Sequence, residues 1–513
     1  MRDLETLSAY RVLTRRTVSE LNSEGYVLEH KKSGARLFLL SNEDDNKVFS
    51  IGFRTPPYDS TGVPHILEHS VLCGSEKFPV KDPFVELVKG SLNTFLNAMT
   101  YPDKTVYPIA STNEKDFHNL MDVYMDAVLH PNIYKHEEIF RQEGWNYHLE
   151  EADGELSYNG VVYNEMKGAF SSPDGVLDRM ILNSLFPDTT YANESGGDPD
   201  VIPELTYEEY LNFHRTYYHP ANSYIYLYGN MDMEEKLSWL DQEYLSAYDR
   251  KEVDSEIHLQ KPFEQMHDIT KPYSIASNES TEDNTYLSYN KVIGTSLDEK
   301  LYLAFQILDY ALLSAPGAPI TKALLEAGIG KDISGSYDSS TYQPIFSIVA
   351  KNANEEQKAE FVKVIEDTLK AIVENGMDKK ALEAGINYHE FRYREADFGG
   401  YPKGLMYGLD ILSSWLYDDT KPFCEVQLLE GFEFLKKALE EGYFEDLIRK
   451  YLLDNTHGAI LSLVPEKGLA AKRDKELEEK LENYRKSLSD EELTRMVENT
   501  KALEAYQESE EDP

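Results

Sequence analysis

One amphipathic segment occurs twice in this chain of 513 residues, and each copy follows a strand-like run. The first copy is His65–Cys73, and Gln306–Ser314 lines up with it. Further along, Ala323–Gly328 lines up with Glu86–Gly90 after a small gap. A repeat at this distance predicts two domains of one fold, although two unrelated amphipathic helices could also align by coincidence. The polar residues of the first copy are replaced in the second.

The order of the predicted elements indicates an α+β fold. Alternating apolar residues predict strands at Ala35–Leu40 and Val48–Phe53, which we interpret as a hairpin around a polar turn at 42–46. The buried-type run Ser223–Gly229 predicts the strand that closes this unit. Helices are predicted at Val63–Leu72, Phe84–Gly90, Lys115–Leu129 and Tyr207–Tyr217. Strands and helices in this mixed order indicate an α+β domain.

Changes in composition suggest where the units end. The acidic and polar stretch 249–282 is typical of a connector, after which Thr285–Asn290 begins a new strand. From about Lys472 onward, charged residues at helical spacing predict helices, with Ser489 and Glu492 as a capping box. We therefore predict a first α+β domain at 1–255, a second domain of the same fold at 256–480, and the start of a helical hairpin at 481–513.

The pentad His65-Ile-Leu-Glu-His69 is the strongest chemical signal in the sequence. Residues four apart lie on one face of a helix, so both imidazoles can meet one metal ion while Glu68 projects beside them. H-x-x-E-H is the inverted form of H-E-x-x-H, in which two histidines bind zinc and the glutamate acts as general base. The plain alternative is a helix with two solvated or core histidines. The pentad predicts half of a zinc site, with Glu68 as the catalytic residue.

Three stretches together resemble one family of enzymes. They are Pro64–Ser75, Leu96–Pro108 and Gly160–Gly168, and they are similar to the presequence protease and falcilysin branch of the pitrilysin/insulinase (inverzincin) zinc metallopeptidases. The similarity runs through residues of about 25 to 230 and continues more weakly beyond. The resemblance implies two similar pitrilysin/insulinase-type αβ-roll domains, followed by the start of a helical linker. It also implies a zinc metalloendopeptidase that degrades unfolded peptides.

The same resemblance implies roles for individual residues. One Zn²⁺ per chain would be bound by His65, His69 and Glu165, although a glutamate on a helix is by itself usually only a solvated residue. Asn97 and Ala98 would bind the substrate backbone as part of an edge strand.

The resemblance also implies a second acidic residue near the site, but its position in this sequence differs from that in the family. Pitrilysin and insulinase have a further glutamate seven residues before the third ligand, where this chain has Tyr158. We expect Glu143 to take that role.

Charge and cysteine content limit the partners of the chain. With 51 basic and 92 acidic residues, its net charge of -41 disfavours nucleic acid and favours cationic oligopeptides. The two cysteines, Cys73 and Cys424, fit a reducing compartment. The first 16 residues lack the apolar core of a signal peptide, and no apolar run is long enough to span a bilayer. We expect a bacterial cytoplasmic protein with no membrane partner.

Two other functions stay open at this point. The chain could be a non-catalytic metallopeptidase-like subunit or partner protein, although such relatives usually lose part of the pentad or the distal glutamate. It could also hold a purely structural zinc ion, with Cys73 as a fourth ligand. Relatives of this branch form a clamshell of two halves, so we expect the C-terminal half of the same protein as a partner. Without that half, peptide cleavage is expected to be lost or much reduced.

Overall fold

The computed structural model describes residues 4–81 and 83–509, which form two large β-sheets, a small two-stranded sheet, and helices around them. The strands are β1 Tyr10–Val18, β2 Ser23–His30, β3 Arg36–Ser41, β4 Lys47–Arg54, β5 Asn93–Leu96, β6 Met99–Thr100, β7 Lys104–Ser111, β8 Asn146–His148, β9 Ser157–Asn159, β10 Ser223–Gly229, β11 His267–Ile275, β12 Thr285–Val292, β13 Asp332–Asp338, β14 Ile345–Ala353 and β15 Gly458–Lys467.

The α-helices are distributed over both halves of the described chain. They are α1 Val63–Val71, α2 Pro83–Gly90, α3 Glu114–Leu129, α4 Glu137–Glu143, α5 Val161–Ala169, α6 Pro173–Leu185, α7 Tyr207–Tyr217, α8 Met233–Glu243, α9 Glu299–Asp309, α10 Pro319–Glu326, α11 Lys358–Asn375, α12 Lys379–Glu395, α13 Lys403–Trp415, α14 Leu429–Ala438, α15 Tyr443–Leu447, α16 Leu469–Ser487 and α17 Asp490–Glu508.

The two sheets share one topology, which confirms the predicted duplication. The central strands of the first sheet run β3-β10-β4-β7-β5, and the second sheet runs β11-β15-β12-β14-β13. In both, the first two neighbours are parallel and all later neighbours are antiparallel. Helices α1 and α9 follow the equivalent strands β4 and β12. The sequence repeat between His65–Cys73 and Gln306–Ser314 is therefore a repeat of the fold.

The predicted hairpin between β3 and β4 is wrong. Strand β10, Ser223–Gly229, lies between them and pairs parallel with β3 and antiparallel with β4. All seven of its residues are buried, as expected for a central strand. Alternation of apolar residues identifies strands, but their partners depend on contacts between distant segments.

The stretch 249–282 is a connector only in part. Strand β11, His267–Ile275, lies inside it and pairs parallel with β15 over its whole length. It is an edge strand whose first six residues are exposed or partly exposed. An edge strand with one solvated side keeps polar residues, and for that reason its sequence resembles a linker.

Each sheet has one face covered by a helix from the other half of the chain. Apolar residues of α13 pack on the face of the first sheet that carries Tyr224, Tyr226 and Tyr228. In return, α6 packs on the second sheet against residues such as Leu461 and Leu463. The other faces are covered by helices close in sequence to their own sheets. The two domains are thus joined by a reciprocal exchange of helices.

Two glycines permit the close approach of α13. A Cβ atom on Gly404 would lie 2.2 Å from the ring of Tyr228, and one on Gly408 would lie 2.5 Å from the ring of Tyr226. Such distances are far below van der Waals contact, so only glycine fits at these two positions. The spacing of four residues places both glycines on one face of the helix.

A buried carboxylate joins the domains at the turn between β6 and β7. Asp103 is fully buried and accepts hydrogen bonds of 2.5 Å from the hydroxyls of Tyr191 and Tyr417. The ammonium of Lys104 donates to Asp103 and to the carbonyl of Ser340. Because these partners come from both halves of the chain, the turn is held rigidly at the domain boundary.

Two helices, α16 and α17, follow the second sheet, and the predicted start of the helical linker at residue 481 falls inside α16. Ser489 and Glu492 form the predicted capping box at the start of α17. Leu481 packs on Leu149 and Leu156 of the first domain, and the backbone N–H of Leu149 donates to the hydroxyl of Thr500. Within residues 4–81 and 83–509, the helices are all too short or too polar to cross a membrane.

Candidate metal centre

Helix α1 begins at a tight turn that only glycine can form. Gly62 has a φ of 71°, and a Cβ atom there would lie 2.6 Å from the Cα atom of Gly197. Pro64 occupies the first turn, where its missing N–H costs no hydrogen bond. The apolar residues of α1 face the core and include Val63, Ile66, Leu67 and Val71. The opposite face therefore presents His65, Glu68 and His69 together.

The structure brings the three predicted ligands into one cluster. The Nε2 atoms of His65 and His69 lie 3.8 and 3.7 Å from Oε2 of Glu165, which projects from α5. One possible ligand atom from each of the three residues lies within 4.8 Å of the other two. Among the described residues, these three side chains are the His, Cys, Asp or Glu cluster that could hold a metal ion. Two imidazoles and one carboxylate form a set that suits a catalytic zinc ion and leaves a position for water.

Both histidines are oriented through their second ring nitrogen. Nδ1 of His65 lies 2.9 Å from the carbonyl oxygen of Gly196, and Nδ1 of His69 lies 3.3 Å from Oε2 of Glu143. Each Nδ1–H can donate to its acceptor, which leaves the Nε2 lone pair directed at the cluster. The sequence did not indicate Gly196, because a backbone carbonyl carries no side-chain signal.

Glu143, the predicted secondary acid, lies next to His69. It is buried at the end of α4. Burial by itself would raise the pKa of Glu143, but hydrogen bonds from His69 and Gln142 lower it below its usual value. Burial would likewise lower the pKa of His69, but Glu143 and the nearby carboxylates raise it. Tyr158 instead packs in an aromatic group with Trp145, away from this role.

Glu68 is held by a residue that the sequence analysis did not identify. The hydroxyl of Thr100, on β6, donates a 2.8 Å hydrogen bond to Oε2 of Glu68. In the part of the chain that the structure describes, no donor bonds to the other carboxylate oxygen, Oε1. A threonine in an edge strand is common, so composition and spacing could not single it out.

Asn97 and Ala98 lie between β5 and β6 at the open edge of the first sheet. Asn97 is exposed and Ala98 is buried. The hydroxyl of Tyr124, on α3, donates a 3.0 Å hydrogen bond to the carbonyl of Asn97. Burial and the nearby charge of Glu68 raise the pKa of Tyr124 well above its usual value, so this phenol stays protonated and remains a donor.

Two cavities adjoin Glu68. One, of about 830 Å³, lies between the domains, with His65 and Glu165 on one side and Ser336, Asp338 and Ser347 of the second domain on the other. The other, of about 440 Å³, is lined by Glu68, His69, Cys73, Phe84, Asn97, Ala98, Glu143 and Tyr506. Since both cavities adjoin the Glu68 carboxylate, an extended peptide that passes this carboxylate would have space on either side of it.

Cys73 does not join the cluster. Its thiol donates a 3.5 Å hydrogen bond to the carbonyl of His69, one turn earlier. The group of candidate ligands found among the described residues lacks it. A structural zinc site would need four protein ligands, so this arrangement favours the catalytic type.

A Ser-His-Asp arrangement elsewhere has a structural explanation. His30 Nδ1 lies 2.7 Å from Oγ of Ser33, and its Nε2 lies 2.9 Å from Asp241. However, the backbone N–H of Ser33 also donates to Nδ1, and both Ser33 and His30 are fully buried. A substrate carbonyl cannot reach such a hydroxyl. These three residues stabilise the turn between β2 and β3.

Three known families match separate parts of the chain. Residues 48–170 match the family described as "Insulinase (Peptidase family M16)", and residues 204–388 match "Peptidase M16 inactive domain". Residues 463–513 match a third family, described as associated with subfamily C of the M16 peptidases. The first of these matches includes every candidate ligand and Glu68.

Several curated proteins are similar over nearly the whole chain. Protein HypA of Clostridium perfringens is 54% identical over 500 residues, which is 98% of this chain and 51% of that protein. Presequence protease 1, chloroplastic/mitochondrial, of Arabidopsis thaliana is 42% identical over 97% of this chain and 46% of its own length. The mitochondrial presequence protease of Mus musculus is 36% identical over 94% and 47%. The chain spans about half the length of these relatives.

Solved structures share the fold at low sequence identity. A protease from Helicobacter pylori has a TM-score of 0.67 at 14% identity, covering 86% of this chain and all of that one. Pitrilysin has a TM-score of 0.60 at 18% identity, covering 89% of this chain and 47% of that one. These likenesses confirm the duplicated α+β fold.

Proposed function

Because the chain belongs to the presequence protease branch of the pitrilysin/insulinase (M16) peptidases, we propose that it carries the catalytic zinc site of a metalloendopeptidase. The observation that supports this most directly is the convergence of His65, His69 and Glu165 with Glu68 beside them. The proposed reaction is the hydrolysis of peptide bonds in unfolded oligopeptides.

In this proposal His65, His69 and Glu165 hold one zinc ion. The ion would supply Lewis-acid chemistry, lowering the pKa of a water molecule and polarising the scissile carbonyl. Glu68 accepts a proton from the attacking water and then donates it to the leaving amine. Glu143 and the carbonyl of Gly196 keep the two imidazoles in a single tautomer.

The edge of the first sheet is the proposed binding surface for the substrate backbone. Asn97 and Ala98 would pair with an extended peptide as an added strand. Main-chain hydrogen bonds of this kind select for an extended backbone more than for particular side chains. The net charge of -41 and the carboxylates of Asp178, Glu194 and Asp338 along the larger cavity suit a cationic peptide.

Two features of the proposal concern the whole protein. Relatives are about twice as long, so we propose that a C-terminal half of the same protein is a partner and that turnover depends on it. A content of only two cysteines, Cys73 and Cys424, fits a reducing compartment such as the bacterial cytoplasm.

The second candidate function, a non-catalytic metallopeptidase-like partner, has less support. Such a protein has no need to keep a base beside its metal ligands. Here His65, His69, Glu165 and Glu68 are all retained and lie together.

Metal analysis and peptide cleavage test the proposal. The purified chain should contain one zinc per molecule, and a fluorogenic unstructured peptide should be cleaved by the wild type, alone or with a C-terminal half supplied from a relative. Glu68→Gln should keep zinc and lose activity by about 10³-fold or more, because the general base is removed. Glu86→Gln is a matched control, since Glu86 is exposed on α2.

Each outcome separates the candidates. Zinc binding with no cleavage in any assembly would favour the non-catalytic partner. Absence of zinc would reject the metal site. Cleavage that survives Glu68→Gln would reject the role of Glu68.

A further inference from the structure

We propose that Thr100 is a positioning residue for Glu68, fixing the orientation of the general base from the same chain segment that binds the substrate. The inference rests on the proposed function. Its central observation is the 2.8 Å hydrogen bond from the Thr100 hydroxyl to Oε2 of Glu68.

A glutamate carboxylate needs such a partner to have one orientation. The last torsion of a glutamate side chain is broad, so the carboxylate plane rotates easily unless a donor holds it. Glu68 is only partly buried and borders both cavities. A donor on Oε2 fixes the plane of the carboxylate and leaves Oε1 as the oxygen that can accept a proton from a water molecule.

The Thr100 hydroxyl is itself held by a rigid frame. Thr100 pairs with Thr105 on β7, whose hydroxyl lies 2.8 Å from that of Thr55. The following turn is closed by a hydrogen bond from Tyr101 N–H to the Lys104 carbonyl. Asp103, in the same turn, is anchored to both domains as described above. The backbone that carries the Thr100 hydroxyl is therefore fixed. The Glu68 carboxylate takes the orientation that lets it accept this hydrogen bond.

The position of Thr100 also connects the base with the substrate edge. Asn97 and Ala98 lie three and two residues before it, and the Asn97 carbonyl is fixed by Tyr124. A peptide that pairs with this edge therefore meets a base whose orientation is set by the same short segment. Fixed geometry between substrate and base is what makes proton transfer efficient.

Two substitutions separate the hydroxyl from the shape of the side chain. Thr100→Val removes the hydroxyl and keeps the volume, whereas Thr100→Ser keeps the hydroxyl and removes a methyl group. Thr17→Val is the matched control, since Thr17 also donates to a glutamate, Glu24, but from the exposed edge strand β1. All variants are made in the full chain, in the assembly that gives turnover.

Three measurements are made on each variant. They are the zinc content, kcat and KM for an unstructured fluorogenic peptide, and the affinity for a peptide hydroxamate. The hydroxamate chelates the metal and must also hydrogen-bond to the general base, so it reports on the orientation of Glu68 without turnover.

Thr100→Val should lower kcat by about 10- to 100-fold and weaken the hydroxamate by about tenfold. KM and zinc content should stay within about twofold of the wild type. Thr100→Ser should recover most of both losses, and Thr17→Val should show neither.

Other results would overturn the inference or the proposed function separately. The positioning role would be rejected if Thr100→Val bound the hydroxamate as tightly as the wild type does. It would also be rejected if Thr100→Ser lost as much hydroxamate affinity as Thr100→Val. Both results can be obtained with a zinc-loaded chain that shows no turnover. A wild-type chain that binds no zinc would instead reject the proposed function, and the role of Thr100 with it.

Discussion

Helices α1 and α9 occupy equivalent places in the two domains, but among the residues that the structure describes only α1 contributes to a candidate metal site. His65, Glu68 and His69 of α1 line up with Gln306, Asp309 and Tyr310 in the second copy. In the first domain these polar side chains face two cavities and meet Glu165. One fold therefore supports both a reactive and a packed surface on the same helix.

The second domain fills the space that the first leaves open. The ring of Tyr310 stacks on Tyr388 of α12, with centroids 5.5 Å apart. On the sheet side, a Cβ atom on Gly335 would lie 2.1 Å from Leu313, so β13 approaches the segment after α9 very closely. Oδ1 of Asp309 is buried and has no hydrogen-bond partner among the described residues. Asp309 and Tyr310 are thus polar residues of the second domain that are packed against neighbouring elements.

The sheet edges differ in the same way. Strand β13 pairs with β14 without interruption from Asp332 to Asp338. In the first domain the equivalent edge is broken between β5 and β6, where Asn97 and Ala98 leave the regular ladder. The register is the same on both sides of this break, with Leu96 opposite Ile109 and Met99 opposite Val106. Among the described residues, the candidate metal ligands and the broken edge thus occur in the same domain.

The largest expected effect comes from removing a ligand in one domain and its counterpart in the other. His65→Ala should weaken zinc binding by about 100-fold or more, since one of three protein ligands is lost. Gln306→Ala should leave zinc binding within about twofold of the wild type. Competition with a chelator measures both. If Gln306→Ala also weakened binding strongly, the two domains would share the site and the contrast would fail.

A smaller loss of zinc affinity is expected from a change at Glu143, which contacts the candidate ligand His69. Glu143→Gln should weaken zinc binding by about 10- to 100-fold, because His69 loses the carboxylate that orients it. Glu390→Gln is the matched change in the second domain, where a buried glutamate binds Arg394 and Lys436. It should lower thermal stability and leave zinc affinity unchanged. Equal zinc affinities in the two variants would show that Glu143 has no role at the site.

Asp309 should make the stability of the chain depend on pH. Burial raises its pKa from 3.8 to about 6, because the charged form is poorly solvated. Asp309 loses its proton near pH 4 in the unfolded chain but only near pH 6 in the folded chain. The stability that protonated Asp309 contributes is therefore fully present below pH 4 and is lost as the pH rises through 6. Asp309→Asn should remove this loss of stability, which is about 3 kcal/mol.

Urea unfolding of the wild type and Asp309→Asn at pH 4, 5, 6 and 7 measures this effect. The two proteins should differ in slope between pH 4 and 6 and run parallel above about pH 7. Identical slopes throughout would mean that Asp309 is solvated in solution, and the second domain would then be less tightly packed than described.

The smallest effect is expected at the broken edge. Tyr124→Phe removes the hydrogen bond to the Asn97 carbonyl, worth about 0.5–1.5 kcal/mol. KM for an unstructured peptide should rise by about two- to tenfold, with zinc content unchanged. Tyr289→Phe, which removes a phenol donor to the Leu452 carbonyl in the second domain, should leave KM as it is. A fall in zinc content in Tyr124→Phe would indicate a general structural role.

The candidate site could be predicted from local sequence to a large extent. The spacing of His65, Glu68 and His69 on one helical turn requires only helical geometry. Glu165 came from resemblance, since nothing in its own surroundings distinguishes it from a solvated glutamate. Thr100 and the carbonyl of Gly196 were not predicted, because each becomes significant only through a neighbour distant in sequence.

The same division applies to the fold. Helix bounds such as Tyr207–Tyr217 and the capping box at Ser489 follow from local periodicity and hydrogen bonding. The order of strands does not, and the predicted hairpin of β3 and β4 was wrong because β10 comes between them. The proposed boundaries 1–255, 256–480 and 481–513 divide the sequence, although α6 and α13 each cover the other domain's sheet.

The sequence by itself determined the elements, the duplication and the reactive face of α1, because these depend on residues close together in the chain. The tertiary structure decided which distant groups meet that face: the carboxylate of Glu165, the Thr100 hydroxyl and the wall of the second domain. Periodicity describes how a segment can bury its apolar side. Only the packing of whole sheets and helices decides what lies opposite the polar side.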